Sequence, residues 1–148
     1  LESFMNYQLK NLKKGNYFFL ILLDLDKFKE INDTYGHLVG DDALIHAAKL
    51  IRGSCKRKAD YVARLGGDEF AIIGQCADAE AVDMIIARMH DVMDRFNKTN
   101  VKPYKILFSA GYAIHDGSTQ ATLDKMISVA DDKMYEIKKA KKAKEKAK

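Results

Sequence analysis

Residues 17–25 run Tyr-Phe-Phe-Leu-Ile-Leu-Leu-Asp-Leu. The unbroken apolar part, 17–23, is too short to cross a bilayer and reads as a central, buried β-strand. It closes on Asp24, and that carboxylate is the feature any fold must accommodate. A charge at the end of a buried strand is costly without compensation. Alternate side chains share a face, so Asp24 and Asp26 point one way and Leu25 the other. Two explanations stay open for this pair. Asp26 reads first as a cap for the helix that follows, and Asp24 equally as a ligand for a hard cation such as Mg²⁺.

The rest of the chain alternates around that strand. Helical spacing covers 1–14, stopping at Gly15, and a short helix covers 27–34. Asp41 sits where an N-cap belongs, ahead of an apolar stripe at Leu44, Ala47, Ala48 and Ile51. Strands are predicted over 61–65 and 69–74, joined by Gly66-Gly67, a hairpin signal. A helix over 78–96, a strand over 105–114 and a helix over 123–138 follow, with residues 139–148 a frayed lysine-rich end. The order α-β-α-α-β-β-α-β-α predicts an α/β (α+β) fold, a central, mostly antiparallel sheet flanked by helices. No linker or repeat divides the 148 residues, so one domain, 1–148, is expected.

Charge and cysteines narrow the function classes. The net charge is +4, but residues 133–148 hold eight lysines and two glutamates. Residues 1–132 keep seventeen basic and nineteen acidic side chains, which argues against a general nucleic-acid binder. Cys55 and Cys76 are isolated, fit a reducing cytoplasm and suggest neither a zinc site nor a nucleophile. The start at Leu1 suggests a piece of a longer protein.

The second carboxylate pair lies in Gly66-Gly67-Asp68-Glu69-Phe70. Glycines let a ligand approach the turn backbone, and Asp68 at the turn exit can face it. If the strand of Asp24 lies beside this hairpin, two carboxylates converge at one sheet edge, as two divalent cations acting on a phosphoryl centre require. There is no GxxxxGK[ST] loop, so phosphates would be held by metals and lysines.

The chain resembles the GGDEF family, the diguanylate cyclase domain. Arg64–Phe70 carries GGDEF intact, and Asp24-Leu25-Asp26-Lys27-Phe28-Lys29-Glu30-Ile31-Asn32-Asp33 matches D-[IL]-D-x-F-K-x-I-N-D. Tyr35-Gly36-His37, Gly40-Asp41, Ser109-Ala110-Gly111 and Ala130-Asp131 with Tyr135 and Lys138 continue the pattern in order. The resemblance implies a fold similar to nucleotidyl cyclases and polymerase palms. It implies condensation of two GTP into cyclic di-GMP, with release of pyrophosphate. Asp24, the Leu25 carbonyl and Asp68 would hold two Mg²⁺ (Mn²⁺ in their place), and Asp68 and Glu69 would be catalytic. Phe28, Lys29, Gly67, Lys138 and Lys142 would meet the nucleotide's phosphates. Asn32, His37 and Asp41 would contact the substrate, Asn32 and Asp41 reading guanine. Arg57 and Asp60, an R-x-x-D five residues before Gly66, would bind the product and inhibit.

It also implies a homodimer, since one site holds one GTP, a regulatory or sensory domain upstream, and cytoplasmic localisation, or the cytoplasmic side of a membrane if the full protein carries a membrane sensor. Nucleic-acid and direct membrane contact are not expected. Three departures stand out. The D-x-L-T-x-L-x-N-R stretch is missing ahead of the domain, the family's final G-R-N is replaced by lysine-rich sequence, with Lys142 where a phosphate-binding arginine would be, and no final strand is expected after it. A silent GTP or cyclic di-GMP receptor is the alternative, and a basic-tail interaction protein a third reading.

Overall fold

The computed structural model describes residues 2–55, 60–118 and 122–147. Four strands, β1 (Tyr17–Leu25), β2 (Tyr61–Gly66), β3 (Glu69–Cys76) and β4 (Phe108–His115), form one sheet in the order β2-β3-β1-β4. All three pairings are antiparallel. The apolar run is therefore central, with β3 on one side and β4 on the other. Five helices accompany the sheet: α1 (Glu2–Lys10), α2 (Phe28–Tyr35), α3 (His37–Ser54), α4 (Ala79–Thr99) and α5 (Leu123–Lys146).

The two faces of β1 feed two cores. Phe19, Ile21, Leu23 and Leu25 pack with Ala43, Ala47, Ile51, Ile85 and Met89 of α3 and α4. Phe18, Leu20 and Leu22 pack with Met5 of α1 and Met126, Ala130 and Met134 of α5. Burial on both sides explains why β1 is apolar at every position up to residue 23. Asp24 continues the second series, so it faces α5.

Four expectations need correction. Asp41 is not an N-cap: Gly36, at φ +90°, ends α2, and α3 starts at once at His37, so Asp41 lies exposed within the helix. Asp26 does not cap α2 either. Lys27 holds the N-cap position in a left-handed conformation (φ +58°) without a side-chain cap, and the Asp26 carboxylate is engaged elsewhere. The last strand begins at Phe108 and not at 105, because Ile106 exchanges two 2.8 Å hydrogen bonds with the Asn97 side chain of α4 instead of joining the ladder. The lysine-rich end does not fray at 139. Helix α5 runs to Lys146, and its Lys138 and Lys141 find Asp24 and Asp26 at the sheet edge. Helix α4 does carry a side-chain cap: Asp78 accepts from the Ala81 amide at 2.9 Å.

Candidate active site

Antiparallel register brings the two acidic motifs together. Asp24 pairs with Glu69 across β1 and β3 and with Ser109 across β1 and β4. The Leu25 amide donates to the Asp68 carbonyl at 3.2 Å, fixing the hairpin turn against the end of β1. Gly66 and Gly67 adopt φ +148° and +50°, a region that side chains disfavour, and this tight turn delivers Asp68 beside Asp24. Arg64 closes the turn from below, donating from its guanidinium to the Gly67 carbonyl at 2.9 and 2.7 Å. Asp68 and Glu69 are half-buried and Gly67 is exposed.

Asp24 is 8% exposed. Burial pushes its carboxyl above the ordinary carboxylate range. A hydrogen bond from Lys138 opposes the shift, and the neighbouring Asp68 charge reinforces it. Lys138, on α5, pairs with Asp24 Oδ2, while Asp24 Oδ1 is buried with no hydrogen-bond partner among the described residues. Two converging carboxylates, one with a bare buried oxygen, beside the Leu25 peptide form a hard oxygen donor set of the kind Mg²⁺ or Mn²⁺ takes. The residues therefore fit the divalent cations that the family resemblance implies. They do so with two acidic side chains and a carbonyl: no cluster of three or more His, Cys, Asp or Glu side chains suited to a metal occurs among the described residues.

Helix α5 reaches this edge because Gly111 lets it. A Cβ on Gly111 would lie 2.2 Å from the Ala130 carbonyl oxygen and 2.4 Å from the Met134 nitrogen, so helix backbone rests directly on the strand. One turn past Met134 comes Lys138 over Asp24. Next is Lys141, which donates to Asp26 Oδ2 and to the Phe108 carbonyl, both at 2.6 Å. The other Asp26 oxygen accepts from Ser109 Oγ at 2.7 Å. Glu145 meets Lys27 at 2.8 Å. Residues 138, 141 and 145 share a helix face, so three ion pairs tie α5 to the exit of β1. Beside them Tyr135, Lys138, Lys139, Lys142, Ala143 and Lys146 line a groove of about 330 Å³.

The remaining expected residues fall on α2 and α3. Phe28 starts α2 and packs against the core from a half-buried position, while Lys29 is exposed. Asn32 is half-buried against Gly40, where an added Cβ would come within 1.8 Å of its Oδ1. His37 and Asp41 are exposed on the first two turns of α3. The structure thus gathers Asn32, His37 and Asp41 at the α2–α3 elbow. Asp24, Asp68, Glu69 and Lys138 gather at the sheet edge. Lys142 lines the groove. Of the R-x-x-D pair, Arg57 lies outside the described residues. Asp60 is half-buried, its Oδ1 2.3 Å from where a Cβ on Gly74 would stand.

Sequence reasoning missed Arg64 as a turn clamp, Lys141 as a partner of Asp26, and a link between Asp42 and Tyr104. In that link Tyr104 donates to Asp42 Oδ2 at 2.6 Å and Lys102 sits 3.2 Å away, tying α3 to the approach of β4. No short-range sequence pattern joins residues 62 positions apart. The i, i+3, i+7 spacing of Lys138, Lys141 and Glu145 was a readable signal for the α5 face.

Comparisons with known proteins identify the family. Diguanylate cyclase DgcZ of Escherichia coli (strain K12) is 36% identical over 139 residues, 93% of this chain and 46% of that protein. Diguanylate cyclase A of Treponema denticola is 33% identical over 120 residues, 80% of this chain and 32% of that protein. The chain spans less than half the length of these curated relatives. The crystal structure of the GGDEF domain of YfiN (TpbB) from Pseudomonas aeruginosa matches with a TM-score of 0.83 at 29% identity, covering 94% of this chain and 87% of that one. The GGDEF domain of DgcB from Caulobacter crescentus, solved in complex with c-di-GMP, matches at 0.76 and 25% identity, covering 95% and 81%. The family model described as "Diguanylate cyclase, GGDEF domain" matches residues 1–144, and the chain belongs to that family.

Proposed function

We propose that this chain is a diguanylate cyclase domain that joins two GTP molecules into cyclic di-GMP. The carrying observation is the convergence of Asp24 and Asp68 at one sheet edge, with Asp24 buried, its Oδ1 without a hydrogen-bond partner among the described residues. Asp24, the Leu25 carbonyl and Asp68 would hold two Mg²⁺, with Mn²⁺ able to replace them. Bound there, the cations would lower the pKa of a ribose 3′-hydroxyl and neutralise charge on the α-phosphate.

The chain's own groups supply the rest. Asp68, with Glu69 beside it, accepts the 3′-hydroxyl proton as that oxygen attacks the α-phosphorus of the second GTP. The bond to pyrophosphate breaks as the new phosphodiester forms, and the step repeats to close the ring. Asn32 and Asp41 read guanine: an amide donates and accepts, and a carboxylate accepts from N1–H and the exocyclic amine. His37 contacts the substrate from the same elbow. Phe28, Lys29 and the Gly67 backbone border the triphosphate, and Lys138 and Lys142 carry cations to its outer phosphates. Lys142 does so as a point charge, without the bidentate fork of arginine. One site holds one GTP, so two protomers face each other during the reaction. The product binds back through Arg57 and Asp60 and slows turnover.

The chain is read as one domain acting in the cytoplasm or on the cytoplasmic side of a membrane, under an upstream sensory or regulatory domain. No helix among the described residues is long and apolar enough to cross a membrane.

Incubation with GTP and Mg²⁺ at several protein concentrations, followed by nucleotide chromatography, tests the reading. Cyclic di-GMP and pyrophosphate are expected, with a loss of about 100-fold or more in Asp68→Asn. No product even at high protein concentration would sink it and favour a receptor that only binds the nucleotide.

A further inference from the structure

The Lys138–Asp24 pair is an obstacle as well as a contact. If Asp24 is to hold a divalent cation, the ammonium on its Oδ2 occupies part of the same space. Asp24 is buried, and the Lys138 side chain is only 32% exposed, so solvent screens the pair weakly. A monovalent ammonium and a divalent cation on one carboxylate repel strongly there. The ammonium also leaves Asp24 Oδ1 without a hydrogen-bond partner among the described residues. It therefore satisfies the carboxylate's charge only in part, and a cation taking oxygens from Asp24 and Asp68 together is the better occupant.

We infer that Lys138 is the resident counter-ion of Asp24 in the cation-free protein, and that cation loading drives its ammonium off Asp24 into the adjoining basic groove. The inference rests on the reading of Asp24 and Asp68 as a cation site. Two features let Lys138 move alone. Helix α5 is held before it by the backbone contact at Gly111, and after it by Lys141 on Asp26 and the Phe108 carbonyl. The groove shared with Tyr135, Lys139, Lys142 and Lys146 already borders the Lys138 stem, so rotamer changes suffice.

The groove then carries one more positive charge, and an anionic phosphate chain binds it more tightly. Cation loading and phosphate binding thus favour each other, and the coupling is reciprocal. Lys138 is a switching residue in this account, and its phosphate contact is the second of its two positions.

Mn²⁺ binding to the nucleotide-free protein, followed by electron paramagnetic resonance, provides the test. Lys138→Met is expected to bind Mn²⁺ roughly ten-fold more tightly, about the worth of one charge-assisted hydrogen bond. Lys138→Arg, which keeps the charge, stays near the unsubstituted protein, and Lys139→Gln, which removes an exposed neighbouring charge, shifts affinity by no more than about two-fold. A second measurement needs no substitution: Mg²⁺ alone raises acylation of the Lys138 amine several-fold, while Lys141 stays protected. Equal Mn²⁺ affinity in Lys138→Met, an equal gain in Lys139→Gln, or unchanged Lys138 acylation overturns the inference and leaves the cation site standing. Absence of Mn²⁺ binding in all these proteins overturns both.

Discussion

Asp24 concentrates the physical tension of the molecule in one side chain. It lies near the end of the most buried strand, opposite Glu69, feels the charge of Asp68 and is paired with Lys138. Its carboxyl titrates above the ordinary value of 3.8, so ionisation disfavours the folded state. The stability held by the neutral form is fully present below 3.8 and is lost as pH rises through the raised value. In protein stripped of divalent cations, Asp24→Asn is therefore expected to melt higher than the parent at pH 7. The gain shrinks towards zero as the pH falls below the ordinary carboxylate value, and thermal unfolding at several pH values checks the sign. The same substitution is expected to remove activity, a trade of stability for function. Cys55 shows burial acting on a different group: its thiol is pushed up to about 11. Alkylation at pH 8 should run at least about ten-fold slower than for an exposed thiol, as thiol titration would show. Asp24 was legible because a charge closing an apolar run is conspicuous. The role of Asp26 was not, because its partners Ser109 and Lys141 are 83 and 115 positions away.

At the scale of elements, two glycines set how close segments come. Alanine at position 111 would put a methyl 2.2 Å from the Ala130 carbonyl oxygen, and the helix backbone cannot step aside cheaply. Gly111→Ala is expected to cost about 2–4 kcal/mol in denaturant unfolding and to reduce activity by lifting Lys138 from its place. Position 40 differs because the obstructing group is the end of a side chain, Asn32 Oδ1 at 1.8 Å. Gly40→Ala gains up to about 1 kcal/mol of helix propensity and loses the Asn32 rotamer. The expected outcome is a melting temperature near the parent's, a raised KM for GTP and little change in kcat. Adding Asn32→Ala to that variant should then do almost nothing more. The element order was readable throughout, since the apolar periods of strand and helix differ. The extent of α5 was not. A lysine-rich end looks solvated until its partners, Asp24, Asp26 and the Lys27–Glu145 pair, are known to stand beside it.

For the whole molecule, the charge split acquires a location. The acidic groups gather where cations and guanine would bind, and the basic excess lies along α5, so net charge described neither surface. Since each protomer would hold one nucleotide, an inactive partner should poison an active one. Titrating Asp68→Asn protein into the parent is expected to lower product formed per parent molecule, and initial rates across the mixing series would show it. Independent protomers would give a flat line.

The two carboxylates also belong to regions of unequal stiffness. Asp24 sits in a strand hydrogen-bonded on both sides, while Asp68 rides on a turn of two glycines held by Arg64 and the Leu25 amide. Amide protons around Leu22 and Leu23 should exchange with deuterium only on global opening, and those of 66–68 by local fluctuation. The distance between the acids is then a breathing coordinate of the hairpin tip. The protein can vary the gap that bound cations would have to span without disturbing the sheet that carries the two acids.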